Sequence, residues 1–382
     1  MNSFFGNQQV LGVLGAGQLG KMLATAAAPW DLNLHMLDPT ADAPAAHLCQ
    51  RFVQGDFRDK QTVLDFGAAC EVITIEIEQV NVEALEELEA AGKEVHPCPR
   101  ALRIIQDKGL QKQFFVDAGL PSSPFELFEG PEAVRAADLR FPCVQKVRTE
   151  GYDGRGVKIL RSAADLDGLL PGPCLVEDAV DVETEIAVIA VRNALGQVVS
   201  FDPVEMRFHP EANLVEFLAA PARISPELAA EAKALAEKTI TAFDLCGLLA
   251  VEMFVNREGE ILINEVAPRP HNSGHHTIEA CVSSQYQQHL RAILNLPLGD
   301  CGLRQPAVMV NILGEEGKSG PVVYEGVEEV LGTPGAHLHL YGKHETRPFR
   351  KMGHLTVCHD NLETAIVRAR RLQTQFKATS RP

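Results

Sequence analysis

A short apolar run, Val10–Leu14, passes directly into Gly15-Ala16-Gly17-Gln18-Leu19-Gly20 and then into a helical stretch, Leu19–Ala28, that stops at Pro29. A strand turned straight into a helix by closely spaced glycines is the opening of a β-α unit, whose next strand returns parallel to the first. The pattern continues with strands at Leu32–Leu37 and Val72–Ile77 and a helix at Val82–Ala91 ending at Gly92. Strands alternating with helices predict a doubly wound parallel sheet over residues 1–100. The proline-spaced His96-Pro97-Cys98-Pro99 marks its boundary.

Beyond residue 100 the pattern becomes α+β. A helix is expected over Ala101–Ala118, then strands at Cys143–Val147, Val157–Leu160, Cys174–Glu177, Glu185–Arg192 and Val198–Val204. Ser225 as N-cap and Pro226 at the first position open a long helix to Phe243. Leu249–Val255 and Ile261–Val266 read as a hairpin, and a helix is expected from about Ile278 to Leu294. The last eighty residues are rich in strands and turns and close with a helix near Leu362–Phe376. Three domains follow: 1–100, 101–300 with a small subdomain at about 120–180, and a small β-rich domain at 301–382.

Bulk properties narrow the function. A formal charge of −16 argues against general nucleic-acid binding, which needs basic surface to displace counterions. No apolar run approaches the roughly 20 residues of a membrane span, and the N-terminus does not read as a secretory signal. Nine cysteines, odd in number and with no C-x-x-C pair, point to a reducing cytoplasm rather than to a disulfide framework or a zinc site.

Three local patterns carry chemistry. The glycine turn fits G-x-G-x-x-G, with Asp38 closing the next strand, and on these residues alone a dinucleotide site is a legitimate reading. The same turn serves the phosphate of another small molecule equally well. The second pattern is the hairpin: a turn centred between Glu258 and Gly259 sets Glu252 opposite Glu265, with Cβ atoms about 5 Å apart on one face. Two carboxylates facing each other on apolar strands repel, and a divalent cation between them relieves this. A solvated face, or a register shifted by one, is the plain alternative. The third pattern is Lys146 to Val157, where Gly151, Gly154 and Gly156 sit among Lys146, Arg148 and Arg155. Such a hairpin tip offers backbone N–H groups and cations to phosphates; an ordinary β-turn is its alternative.

In these blocks the chain resembles the ATP-grasp superfamily, and within it the N5-carboxyaminoimidazole ribonucleotide synthases, also called the ATPase subunit of phosphoribosylaminoimidazole carboxylase. The blocks are LGAGQLGKML (Leu14–Leu23), DKGLQKQF (Asp107–Phe114), GYDGRGV (Gly151–Val157), INEVAPRPHNSGHHT (Ile263–Thr277) and RKMGHL (Arg350–Leu355).

The resemblance implies an ATP-grasp fold that uses ATP, Mg²⁺ (or Mn²⁺) and bicarbonate to carboxylate the amine of 5-aminoimidazole ribonucleotide through carboxyphosphate. It implies that Lys108, Lys146 and the loop Gly151, Tyr152, Asp153, Gly154, Arg155, Gly156 and Val157 contact ATP phosphates. Adenine falls to Glu177, Asp178, Ala179 and Val180, ribose to Glu185, and His209 lies over the nucleotide. Glu252 and Glu265 bind the metal, with Asn264 beside them. The ribotide contacts Gly17, Gln18, Leu19, Glu76, Tyr152, Asp153, Arg155, Arg269, His271, Asn272, Ser273, Arg350 and Lys351. Lys146, Asp153 and Arg155 carry the catalytic roles, and a homodimer is the family expectation.

Some positions depart from the pattern. Ala267 stands where many ATP-grasp enzymes have Asn, and Glu150 stands where glycine is expected. Lys343, Arg347, Arg350 and Lys351 supply cations suited to a phosphoribosyl group. Glu76 and Glu78 are expected to alternate on a strand and face one side. His271, His275 and His276 lack a fourth ligand for zinc, so His275 is expected to be a local hydrogen-bonding residue. A formate-dependent glycinamide ribonucleotide ligase of the same fold and an NAD-dependent dehydrogenase are the alternative functions.

Overall fold

The computed structural model describes residues 4–6, 9–149, 151, 156–208 and 215–381. The first sheet grows from the β-α unit at the start. Strands β1 (Val10–Leu14), β2 (Asn33–Asp38), β3 (Arg51–Gln54), β4 (Val72–Ile75) and β5 (Glu94–His96) alternate with helices α1 (Gln18–Ala27), α2 (Lys60–Ala68) and α3 (Val82–Ala90). All pairings are parallel, in the order β3-β2-β1-β4-β5. The order reverses between β1 and β4, so a crevice opens at the carboxyl ends of those two strands. β3 escapes the sequence pattern because it is an edge strand with no buried residue. β4 stops at Ile75, so Glu76 and Glu78 lie beyond the strand instead of alternating on it.

The helix expected over Ala101–Ala118 is two: α4 (Pro99–Gln106) and α5 (Lys108–Asp117). Asp107 breaks it. Its backbone is extended (φ −115°, ψ 110°), and its carboxylate accepts from the N–H groups of Gly109 (2.8 Å) and Leu110 (3.2 Å). An N-cap satisfies donors that a continuous helix would use internally, so one aspartate ends one helix and starts the next. A small antiparallel sheet follows, from β6 (Phe125–Phe128), helix α6 (Pro131–Ala136), β7 (Cys143–Val147), β8 (Val157–Leu160) and β9 (Cys174–Asp178), ordered β6-β9-β7-β8.

The large sheet has nine strands. Its first part comprises β10 (Val182–Arg192), β11 (Val198–Ser200), β12 (Val204–Phe208), β13 (Val215–Ala220), β14 (Gly247–Asn256) and β15 (Ile261–Ala267), with α7 (Pro226–Ala242) between β13 and β14. The single strand expected at 198–204 is thus the whole of β11 and the first residue of β12. The expected helix 278–294 is likewise α8 (Thr277–Ala280) and α9 (Gln285–Ile293), restarted by the capping box of Ser284 with Gln287. The C-terminal domain mixes strands with helices: β16 (Ala307–Leu313), β17 (Gly320–Glu325), α10 (Val327–Leu331), β18 (Ala336–Leu340), β19 (Glu345–Thr346), β20 (Lys351–Cys358), α11 (Leu362–Gln375) and β21 (Lys377–Ser380).

Strands β16, β20 and β18 continue the large sheet, giving β15-β14-β10-β12-β13-β16-β20-β18, with β11 beside β10. α7 covers one face over β10 and β14, and α11 covers the same sheet over β16 and β20. The opposite face of β14 and β10 carries Glu252, paired with Ala187, and Glu185 two residues along. The parallel sheet is fastened to this body by one shared core. Leu19, Met22 and Leu23 of α1 pack with Tyr286, Leu290 and Ile293 of α9 and with Tyr341.

Candidate active site

The site begins with the β14–β15 ladder. Near the turn Val255 pairs with Ile261 and Met253 with Ile263, so the hairpin is centred on Glu258, one half-step from the expected position. The Asn256 carboxamide holds this turn, accepting from the N–H groups of Glu258 and Glu260 (3.1 and 2.8 Å), while Gly259 takes φ +82°. A register shift then falls between Glu252 and Met253, leaving Asn264 as the extra residue, and Glu252 stands opposite Glu265. The two carboxylates therefore meet through a bulge. In an unbroken strand Glu265 would follow Ile263 into the helix-packed core and Val266 would face the site. Instead Asn264 and Glu265 both serve the site, and Ile263 and Val266 stay in the core.

Cations converge on this ladder. Lys108, first residue of α5, places Nζ 2.5 Å from Glu265 Oε2. Lys146 of β7 lies 2.5 Å from Glu177 Oε1 and donates to Asn264 Oδ1 at 2.8 Å. His271 Nε2 is 3.3 Å from Glu252 Oε1. Burial, and then the like charges of Glu265 and Glu185, raise the Glu252 carboxyl. The Lys108 ammonium draws Glu265 the other way and keeps it ionised. Burial also pushes Glu185 up to about 7, against the pull of Lys146. Glu252 and Glu185 are thus held at a cost in desolvation and repulsion, which a bound cation would offset. Among the described residues no group of three or more His, Cys, Asp or Glu could enclose a metal ion alone. That suits magnesium, which takes one or two carboxylates together with phosphate oxygens and water. Ala267 packs in an apolar cluster with Ile189 and Ala250 and offers no ligand.

The glycine turn sits at the crevice between β1 and β4, and its helix N-terminus is filled from within. Glu76 accepts from the N–H groups of Gly17 (2.6 Å) and Gly20 (2.5 Å). A Cβ at Gly15 would come within 2.3 Å of Glu76 Cγ, and one at Gly17 within 2.6 Å of its Oε1. The glycines make room for a carboxylate where a dinucleotide would place its pyrophosphate. Asp38, the would-be ribose ligand, accepts instead from the N–H groups of Ala16 (2.9 Å) and Thr40 (2.8 Å) and fixes the loop. The dinucleotide reading does not hold.

The segment after β15 forms the other wall. Arg269 pairs with Glu78 at 2.7 Å. His271 is held through its backbone, whose N–H and C=O both bond the Gln285 carboxamide at 2.8 Å. Its Nδ1 meets Ser273 Oγ at 2.9 Å. Asn272 and Asn311 exchange two amide hydrogen bonds (2.9 and 2.8 Å). His275 bonds Tyr286 Oη at 3.2 Å and stacks on His354, with ring centroids 4.6 Å apart. Lys351 opens β20, and its charge reaches Glu252. Lys343 donates to the Lys351 carbonyl (2.7 Å) and Arg350 to that of Glu345 (2.6 Å).

Val157 pairs with Lys146, and the Gly156 carbonyl accepts from Val147 N–H at 2.9 Å. Gly151 is described, but Glu150, Tyr152, Asp153, Gly154, Arg155 and His209 lie outside the described residues. Asp178 is exposed at the end of β9, with Ala179 and Val180 half-buried in the link to β10. Two buried polar residues of the site, Lys112 and Gln285, are not among those the sequence points to. Lys112 was visible one helical turn after Lys108 in the DKGLQKQF block. Gln285 carries no local signal, because only the folded chain brings it to His271.

Family models match nearly end to end: a ribonucleotide synthetase preATP-grasp domain at residues 8–106, an ATP-grasp domain at 113–286 and a phosphoribosylaminoimidazole carboxylase C-terminal domain at 307–368. The N5-carboxyaminoimidazole ribonucleotide synthase of Brucella melitensis is 39% identical over 91% of this chain and 95% of its own length. The chloroplastic phosphoribosylaminoimidazole carboxylase of Vigna aconitifolia is 37% identical over 93% of this chain, which spans 65% of that longer relative. The crystal structure of the N5-carboxyaminoimidazole ribonucleotide synthetase from Thermotoga maritima superposes with a TM-score of 0.90 at 40% identity, covering 98% of this chain and all of that one. The Aspergillus clavatus enzyme in complex with ADP and 5-aminoimidazole ribonucleotide gives 0.87 at 34% identity, covering 96% and 98%. With its parallel sheet, carboxylate hairpin and converging lysines, the chain belongs to the N5-carboxyaminoimidazole ribonucleotide synthases, a family of ATP-grasp ligases.

Proposed function

We propose that this chain carboxylates the exocyclic amine of 5-aminoimidazole ribonucleotide with bicarbonate, at the expense of ATP, in purine biosynthesis. The observation that carries the reading is the Glu252–Glu265 pair ringed by Lys108, Lys146 and His271, one wall away from a crevice built of Glu76 and the glycine turn. Nucleotide and ribotide each have a wall, and the carboxylate pair lies between them.

In the reaction a bicarbonate oxygen forms a bond to the γ-phosphorus of ATP and the bond to the β–γ bridging oxygen breaks, giving carboxyphosphate and ADP. The amine nitrogen then bonds to the carboxyl carbon, phosphate departs, and the nitrogen loses a proton. Lys108 and Lys146 bind phosphate oxygens and offset their charge. Glu252 and Glu265, with Asn264 beside them, are the groups that would hold magnesium, which neutralises the triphosphate when bound. Glu185 meets the nucleotide ribose, and Glu177 with the segment Asp178–Val180 meets adenine. Arg269, His271, Asn272, Arg350 and Lys351 orient the ribotide, and Asp153 and Arg155 carry its amine and the transferred phosphoryl group. The glycine loop from Gly151 to Val157 keeps water from the mixed anhydride.

The nine cysteines, odd in number and with no C-x-x-C pair, support a reducing cytoplasm. No helix among the described residues is long and apolar enough to cross a membrane. A homodimer is the assembly we assign, and sedimentation velocity tests it. The deciding assay is ADP release with bicarbonate and each acceptor in turn. Stimulation by 5-aminoimidazole ribonucleotide is expected. Stimulation by glycinamide ribonucleotide with formate instead would transfer the chain to the sister activity.

A further inference from the structure

Lys112 is a cation for which the reaction has no direct use. It lies one turn after Lys108 on α5, its side chain is 4% exposed, and Nζ sits 3.0 Å from Glu177 Oε2 and 5.7 Å from the centre of the Phe125 ring. Lys146 takes the other oxygen of the same carboxylate. Glu177 is itself 4% exposed, so each of its oxygens has a lysine and little water. Lys112, Lys146, Glu177, Asn264 and Glu265 line one cavity.

This sharing has a consequence for the nucleotide. A phosphate that claims the Lys146 ammonium must draw it from Glu177. If Lys146 were the only partner of Glu177, nucleotide binding would strand a buried carboxylate, and breaking a buried pair in that way is strongly unfavourable. Lys112 is too enclosed to follow the phosphate and stays with Glu177. We propose that Lys112 is a positioning residue, which neutralises Glu177 so that Lys146 is free to leave it for the phosphates of a bound nucleotide. The proposal rests on the reading that Lys146 meets nucleotide phosphates. It adds a competition between Glu177 and the nucleotide, settled by a second lysine.

The test is calorimetric titration of the full chain with ADP in excess magnesium, which needs no acceptor. K112M is expected to weaken ADP about tenfold or more, the worth of a charge-assisted contact. K112R, which keeps the charge, is expected to recover most of that loss. In the E177Q background Lys146 loses the carboxylate it touches, so K112M/E177Q is expected to bind ADP within about twofold of E177Q, the scatter of independent sites. Equal ADP affinities for K112M and wild type, or the same loss from K112M in both backgrounds, would overturn the proposal. Should K112M alone not fold, K112Q takes its place in both backgrounds: a loss of ADP affinity confined to the Glu177 background supports the proposal, and an equal effect or none in both sinks it. A wild-type chain that binds no ADP would remove the nucleotide reading as well.

Discussion

The carboxyls of this site are shifted in opposite directions, and those shifts make them diagnostic. Glu265 is kept ionised by Lys108 opposite a Glu252 whose burial favours the neutral form. Glu265→Gln keeps the shape but removes the partner of the enclosed Lys108 ammonium, so thermal stability at neutral pH should fall modestly while the chain still folds. Acceptor-dependent ADP release should fall about a hundredfold or more, beyond what loss of a merely supporting contact to a metal ligand causes. Near-normal turnover would disconnect the pair from the chemistry. Glu185 gives a second, independent reading. Burial lifts its folded pKa to about 7 from an ordinary 4.5. Between those values the folded chain binds more protons here than the unfolded one, so this residue's contribution to stability declines as pH rises from about 4.5 to 7. Glu185→Gln does not ionise. It should therefore melt close to wild type at pH 5 and higher than wild type at pH 8, by a few degrees at least. Parallel melting curves at both pH values would show that Glu185 is not desolvated.

At the scale of elements, Asp107 does the most with the least. It ends α4, caps α5 and takes Arg148, at the root of the glycine loop, in a bidentate pair (2.9 and 2.7 Å). The backbone N–H of Lys108 also bonds the Arg148 carbonyl at 2.8 Å. Asp107→Ala should cost about 2 kcal/mol in urea unfolding, the sum of a lost cap and a largely buried ion pair. Because Lys108 follows directly, the KM for ATP should rise severalfold while that for the ribotide stays. An unchanged KM would mean that α5 holds Lys108 without its cap. This helix break has only a faint mark in the sequence, the polar run Gln106-Asp107-Lys108-Gly109, which reads equally as the solvated face of one helix; only the capping geometry separates the two. The carboxylate pair was legible for a partly mistaken reason. Opposition of Glu252 and Glu265 was inferred from a turn between Glu258 and Gly259, whereas the turn centres on Glu258 and the bulge at Asn264 supplies the missing step. Bulges leave no compositional mark beyond one polar residue too many, here Asn264 beside Glu265. The parallel sheet was read from its buried central strands, β1, β2 and β4. Its edge strands β3 and β5 were not, since β3 buries nothing and β5 is three residues long with only Val95 buried. Gly17 and Gly20 announced an anion at a helix N-terminus, but not that Glu76 would supply it.

For the whole molecule, the placement of one core decides how the parts respond together. The chain reads as three domains, yet α1 of the parallel sheet shares its apolar face with α9 and Tyr341, and Lys21 of α1 donates to the Leu340 carbonyl at 3.0 Å. Separating the parallel sheet from the rest would expose Met22, Leu23, Tyr286, Leu290 and Ile293 at once, at roughly 1.5–3 kcal/mol for each large side chain. An interface of that worth favours a single cooperative transition over independent unfolding. The chain carries one tryptophan, Trp30, which packs against this core on the side of the parallel sheet, with the Arg291 guanidinium 5.8 Å from the centre of its ring. Its fluorescence therefore reports the parallel sheet and its seam with α9, while far-UV circular dichroism reports the whole chain. In urea the two midpoints should coincide. MgADP, whose proposed contacts lie in the central body and not in the parallel sheet, should stabilise by about 2.7 kcal/mol at a hundred times its Kd and should carry the Trp30 midpoint with it by the same amount. A Trp30 transition that stays in place while the dichroism midpoint moves would show that the parallel sheet unfolds alone, and the shared core would then contribute little to holding the two walls of the site together.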